Sequence, residues 1–367
     1  MRLGHVPVLD AIRGIAIVLV LAVHARYVLP GGVLGVDLFF VLSGFLITAL
    51  LLAEWDGAGR ISLRDFYRRR ALRLLPALVV VLAVVTVALA LTADDFGEQF
   101  VWVLLTMGYV VNVASVVNGE ISAESLQHMW SLSQEEQFYV LWPLVLLVAL
   151  RKRVNPRTIV ATLAAVALAL VIYRVYLAIA NASPGRLLYS PESRSIGLIL
   201  GCLAGVLFSY GLVRRVPLWL AGAMLVPAAI SVAAFDLESR WSAVVFVPLF
   251  SLAATIVLLA CVLEPRWWFA RAIDRALLRG LGKISYGLYL WHWPLYFAFG
   301  WMLGLPLALV AALVSYRYVE LPFLRRRHRT DDQTATAPRR KSTISVVVAP
   351  GPNTAATPSA LSSSASS

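Results

Sequence analysis

Residues 8–28 read VLDAIRGIAIVLVLAVHARYV, an aliphatic run broken early by Asp10 and Arg13 and late by His24. About 20 mostly apolar residues suffice to cross a bilayer as a helix. The run does not read as a cleavable leader. Two charges interrupt its start, and His24 stands where a small-residue cleavage site belongs. At about 100° per residue, Arg13 and His24 differ by about 20° around a helix, and Asp10 and His24 by about 40°. With a rise of about 1.5 Å per residue, Arg13 and His24 lie about 16 Å apart along that shared face. Such a polar stripe on a spanning helix needs a bundle interior or a wet cavity to face. This stretch therefore predicts one helix of a membrane bundle with a polar interior.

The rest of the chain agrees. Of 367 residues, 60% are hydrophobic and 14% charged, and the mean hydropathy is +0.79. Soluble domains run at about 45–50% apolar and about 25% charged. A soluble globular protein, a disordered chain and a nucleic-acid module are excluded, so no nucleic-acid partner is expected. Cys202 and Cys261 are too few for a disulfide scaffold or a four-cysteine zinc site and read as packing residues; no metal site is expected. Further apolar runs lie near 34–53, 73–92, 135–150, 157–179, 195–213, 217–234, 241–263, 284–301 and 304–320, with an ambiguous one near 99–117.

Lys and Arg mark the cytoplasmic loops of membrane proteins, which gives the net charge of +12 a place. Basic residues gather at Arg60, Arg64 and Arg68–Arg70, at Arg151–Arg153 and Arg157, and at Arg214 and Arg215. They gather again between Arg266 and Lys283 and in RRRHR from Arg325. The opposite loops hold Arg26, Arg186, Arg194 and Arg240 and the acidic TADDFGE. A chain that leaves near residue 92 and is back inside by Arg151 makes an odd number of crossings. Segment 96–132 is then extracytoplasmic and partly re-entrant, which is tolerable where it is buried against protein. The expected architecture is all-α: ten transmembrane helices over residues 5–325, with both termini cytoplasmic. Eleven spans, with one loop breaking the charge rule, is the alternative. Residues 326–367, basic and then rich in Ser, Thr, Ala and Pro, are expected to form a disordered cytoplasmic tail.

Several helices bring titratable groups to the outer half under this topology: His24, Asp37 in GVDLFFVLSG, Glu135 and Glu136 in WSLSQEEQFY, Arg174 and Arg194. That is the pattern of a site. Asp10 and Arg13 also fit a structural i, i+3 pair. Arg70 and Arg73, three apart in FYRRRALRLLP, suit phosphate through their guanidinium groups. Positive-inside topology with lipid headgroup contact explains the same residues. His292 in SYGLYLWHWP reads as aromatic belt or packed core, and Glu320 as structural beside Arg317.

These segments, in order, resemble the acyltransferase-3 family of integral membrane acyltransferases. LDAIRGIAIVLVLAVH resembles its opening, an Arg followed by a His, here Arg13 and His24. GVDLFFVLSGFLI and FYRRRALRLLPAL resemble its next two motifs, the second with Arg70 and Arg73. HMWSLSQEEQFYVLWP resembles its tryptophan–glutamate motif, with Trp130 and Glu135 matching and Glu136 beside them. SRSIGLILG, with Arg194, and SYGLYLWHWPL resemble later segments. The resemblance implies transfer of an acyl group, usually acetyl, from cytoplasmic acyl-CoA, a co-substrate rather than a resident cofactor. The implied acceptor is a hydroxyl of a carbohydrate, a lipid-linked glycan or a glycosylated metabolite, and the implied location is a bacterial inner membrane. Some relatives carry a fused extracytoplasmic hydrolase-like domain, expected here to be absent or separate. On this resemblance His24 is the catalytic base or, alternatively, a covalent acyl carrier. Asp37 or Glu135 orients it or binds the acceptor. Arg70, Arg73, Arg13, Arg194 and Trp130 bind substrate, with Asp10 and Glu136 in support. A polytopic transporter of a polar or glycan substrate is the alternative reading.

Overall fold

A computed structural model describes residues 6–25, 29–118 and 124–324. Arg26, the RRRHR run and the expected tail 326–367 lie outside these residues. Among the described residues the chain is all-helical, without a strand. In order the helices are α1 Pro7–His24, α2 Leu34–Ala58, α3 Leu63–Thr92, α4 Phe96–Met107, α5 Val111–Asn118, α6 Met129–Arg151 and α7 Pro156–Ile179. Then come the short α8 Pro184–Tyr189 and α9 Pro191–Arg194, followed by α10 Ile196–Ser209, α11 Leu218–Ala233, α12 Arg240–Leu263, the short α13 Trp268–Ile273 and α14 Ala276–Val314.

Local chemistry sets the ends. Pro7 and Pro156 occupy first helical turns, where the missing N–H costs nothing. Ser62 and Ser239 cap α3 and α12 by accepting backbone N–H bonds. Inside α14, Gly300 leaves helical geometry at φ 69, ψ 162, a conformation open to glycine. That break falls between the expected runs 284–301 and 304–320. Among the described residues six helical stretches are long and apolar enough to cross a membrane. Helices α10 and α11, with 14 and 16 residues, are shorter than their expected runs. The outward faces of α3, α6 and α7 are apolar, with Val87, Leu141 and Ile172 exposed, as suits contact with lipid.

Within the expected re-entrant segment 96–132, α4 and α5 fold as a helical hairpin. The chain reverses at Tyr109, in the left-handed region at φ 55. Its tip is held by Gln137 of α6, which donates to the Tyr109 carbonyl at 2.8 Å and to Asn112 at 2.9 Å. Helix α4, with 12 residues, rises about 18 Å, short of a bilayer core of about 30 Å.

The core of the bundle is the parallel pair α2 and α10. Gly197, Gly201 and Gly205 recur every fourth residue and meet Asp37, Val41 and Thr48 in order. A Cβ at Gly201 would sit 2.2 Å from the Val41 carbonyl oxygen. This is small-residue packing, in which glycine lets two backbones approach. At one end of this pair Arg194 donates to Asp37 at 2.7 Å, both side chains fully buried. Arg174 of α7, also fully buried, donates to the carbonyls of Leu187, Ser193 and Ala243. Helix α1 runs antiparallel to α2, with Gly32 on Leu19 and Gly35 on Ala16. It runs parallel to the first half of α14, where Gly282 touches Asp10 and Gly14 touches Leu278.

Gly201→Ala should overpack the α2–α10 contact and destabilise by about 1–3 kcal/mol. Gly222→Ala, inside α11 with a Cβ that would meet nothing within 4 Å, should not destabilise and should raise stability by up to about 1 kcal/mol. Asp37→Asn should cost about 3–5 kcal/mol by leaving Arg194 buried without its counter-ion. Thermal unfolding of the purified protein in detergent ranks all three.

Candidate active site

Helices α1, α2, α3, α6 and α14 enclose a cavity of about 140 Å³. Arg13 of α1 and Arg70 and Arg73 of α3 line it, as do Glu135 and Glu136 of α6. Helix α3 runs antiparallel to α6, so the arginine turn meets the glutamate pair. Arg70 donates to Glu136 at 3.1 Å, and its guanidinium lies 3.1 Å from the centre of the Tyr139 ring. Glu135 accepts from the Ser43 and Tyr139 hydroxyls. Arg13 keeps Asp10 at 3.2 Å. The five charged lining residues Arg13, Arg70, Arg73, Glu135 and Glu136 sum to +3 − 2 = +1. Among the described residues the buried Arg70 Nε has no hydrogen-bond partner.

At its far wall the cavity meets Tyr289 and Ser131, whose hydroxyls are 2.5 Å apart. Tyr289 donates to the His128 carbonyl, and its ring packs against the imidazoles of His128 and His292, with centroids 5.3 and 5.6 Å away. Beyond this wall three histidines gather: His24 at the end of α1, His292 midway along α14 and His128 just before α6. His24 Nδ1 lies 3.1 Å from His292 Nε2. The Trp293 ring packs on His24 with centroids 4.6 Å apart. Trp293 Nε1 donates to the Glu124 carbonyl at 2.5 Å. Both His128 ring nitrogens are buried. Among the described residues no group of His, Cys, Asp and Glu could hold a metal ion.

The expected residues thus separate into three places. Arg13, Arg70, Arg73, Glu135 and Glu136 share the cavity, with Asp10 behind Arg13. His24 belongs to the histidine cluster at the far wall. Asp37 and Arg194 stand apart, closed on each other, and Trp130 packs beside them, 5.7 Å from the Arg194 guanidinium and edge-on to Phe40. The expectation that Asp37 or Glu135 orients His24 meets a different arrangement. Asp37 is held by Arg194 and Glu135 by two hydroxyls, while the His24 ring meets His292 and the Val20 carbonyl. His292 carries a pairing that the belt or core reading does not contain. His128 and Tyr289 were not singled out from sequence. The available signal was depth: a histidine amid aromatics on a later helix, level with His24 under the expected topology.

The acyltransferase domain family matches residues 6–316. The chain is 31% identical over 361 residues to a Staphylococcus aureus (strain COL) protein named "Putative O-acetyltransferase SACOL0978", covering 88% of this chain and 58% of that protein. It is 29% identical over 308 residues to the peptidoglycan O-acetyltransferase OatA of Listeria monocytogenes, covering 79% and 49%. It is also 29% identical over 365 residues to the O-acetyltransferase OatA of S. aureus (strain MRSA252), covering 92% and 60%. The chain therefore spans between half and three-fifths of the length of these relatives. No solved structure matches it. With the family's match running from the start of α1 to the π-helical turn Ser315–Glu320, and the arginine cavity and histidine cluster inside it, the chain belongs to the acyltransferase-3 family.

Proposed function

We propose that this chain is a ten-span O-acetyltransferase of a bacterial inner membrane, moving acetyl from cytoplasmic acyl-CoA to a hydroxyl of a carbohydrate or glycan-type acceptor. One observation carries the reading: three arginines from two helices line a cavity whose far wall packs directly on the His24 cluster. The family match supports the enzyme over the transporter. The names of the OatA relatives favour a glycan of the cell envelope as acceptor.

Helix directions support the ten spans. Helices α1, α3 and the first half of α14 run one way; α2, α6, α10 and the second half of α14 run the other. This brings the starts of α1, α3 and α14 and the end of α6 to one end of the bundle, where Arg60–Arg70, Arg151–Arg157 and Arg266–Lys283 gather. We assign that end, with both termini and segment 326–367, to the cytoplasm on the charge rule. The hairpin α4–α5 then enters from the opposite side and returns to it.

In this reading Arg70, Arg73 and Arg13 hold CoA phosphates, because a guanidinium offers paired donors to phosphate oxygens. Arg70 keeps Glu136 beneath it, and Tyr139 braces its face. The pantetheine arm runs along the cavity towards Tyr289. His24, about 16 Å beyond Arg13 on the same helix face, accepts the proton of the acceptor hydroxyl. The hydroxyl oxygen bonds to the thioester carbonyl carbon and the C–S bond breaks. The leaving thiolate takes the proton from His24, so the products are an acetyl ester and the free thiol.

His24→Ala should abolish envelope acetylation while the protein reaches the membrane in normal amount. The measurement is base-labile acetate in a deletion strain complemented with the variant; near-normal acetate sinks the assignment. Arg70→Ala removes charge-assisted bonds worth about 1.5–3 kcal/mol. It should raise the KM of purified protein for acetyl-CoA by about 10–100-fold. If it lowered expression alone, Arg70 would be a topological residue.

A further inference from the structure

His292 Nδ1 lies 2.8 Å from the Tyr289 carbonyl oxygen and 3.1 Å from that of Leu288. A carbonyl oxygen only accepts, so Nδ1 carries a hydrogen. His292 is fully buried, and among the described residues no carboxylate is paired with it. A second ring proton would place a cation in the apolar interior without a counter-ion. The ring is then neutral, and its Nε2 is an acceptor. The atom facing that acceptor is His24 Nδ1, at 3.1 Å, and the Val20 carbonyl of the preceding turn also accepts from the His24 ring, so His24 carries its own hydrogen on Nδ1. Its Nε2 keeps the lone pair. We infer that His292 is a positioning residue that fixes the tautomer and orientation of His24, leaving Nε2 of His24 as the atom that takes the proton from the acceptor hydroxyl. The hydrogen-bond chain runs Tyr289 carbonyl, His292, His24.

The backbone explains why the device is rigid. The two carbonyls that fix His292 belong to the preceding turn of its own helix, so the ring is anchored by α14 itself. The α14 helix is in turn pressed on α1 through Gly282 and Gly14, whose added Cβ atoms would lie 1.8 and 2.2 Å from carbonyl oxygens across the contact. The two helices run parallel, so this contact near their starts sets the register of His24 and His292 about 18 Å further along. Tyr289 and His128 close the other faces of the His292 ring. A neutral imidazole serves here in the place a carboxylate fills in a Ser-His-Asp triad, where enforcing the wrong tautomer lowers kcat by about 10⁴-fold.

The inference rests on His24 being the base, and the test separates the two. Purified wild-type, His24→Ala, His292→Phe and His292→Gln proteins are compared in lipid nanodiscs. The readout is thiol release from acetyl-CoA with N-acetylglucosamine tetramer as acceptor, together with base-labile envelope acetate in the complemented deletion strain. His292→Phe keeps a ring but removes the acceptor. It should lower kcat by at least about 100-fold with KM for acetyl-CoA within about twofold, a split that a tautomer effect produces. His292→Gln places a carbonyl oxygen near the position of Nε2 and should restore at least a tenth of wild-type kcat. A His292→Phe protein with more than half of wild-type kcat overturns the inference, and so does equal loss in both His292 variants. Activity retained in His24→Ala overturns the underlying reading instead. A measurement on the unaltered protein keeps the question open to refutation if a variant misfolds. In ¹⁵N-histidine solid-state NMR, the His24 signals (identified by their loss in His24→Ala) should show a protonated Nδ1 and an unprotonated Nε2; the reverse assignment overturns the inference.

Discussion

Moving a charge from water into an apolar bundle costs several kcal/mol unless neighbours take up its field and its hydrogen bonds. That constraint sorts the interior of this protein into closed and open sites. Arg174 is closed: its guanidinium reaches three backbone carbonyls. Asp37 and Arg194 are closed on each other with no exposure. The groups around the cavity are open. Arg70 and Glu136 retain 22% and 15% side-chain exposure, and Arg73 is exposed at the same cavity. Histidines, unlike lysines or carboxylates, can be uncharged at neutral pH and still pass protons, so the dry far wall is where they are affordable. The separation yields an open, net-positive cavity with a buried histidine cluster behind its far wall.

The same close packing that removes water also sets distances. Glycines bring α2 to α10 and α1 to α14 until backbone touches backbone. Helix α2, clamped between α1 and α10, presents Ser43 to Glu135 of α6. Helix α14, clamped on α1, presents His292 to His24. A side chain added at either contact would shift Glu135 or the histidine pair as well as the fold, so the glycines that pack the bundle also place the candidate site.

Much of this was legible from sequence. Each of the ten expected runs corresponds to a helix or half-helix, because length and hydropathy alone decide which segments leave water. The stripe Asp10, Arg13 and His24 was legible because helical periodicity is local. Charge asymmetry led to the expectation that 96–132 is not a full span; the 12-residue α4 is too short for one, and the turn at Tyr109 was not legible. What stayed hidden was pairing between distant helices. The expected topology put Asp37 and His24 at similar depth, which made them candidate partners; with Gly35 seated on Ala16, Asp37 lies about two helical turns from the level of His24, and the face of α2 turned towards α10 gives Asp37 to Arg194. The glycine repeat at 197, 201 and 205 was readable and marks that contact. His292 was masked by its aromatic neighbours, which fit a membrane belt as well as the wall of a site.

In the proposed mechanism the arginine cavity and the histidine cluster form one donor path. A cryo-electron microscopy structure of the protein with a non-hydrolysable acetyl-CoA analogue tests it most directly. The account predicts phosphates on Arg13, Arg70 and Arg73, with the acetyl carbon beyond Tyr289, near enough to His24 Nε2 for a hydroxyl held between them to lie about 3–3.5 Å from that carbon. Phosphates bound outside this cavity, or an acetyl group lodged away from His24, would contradict it.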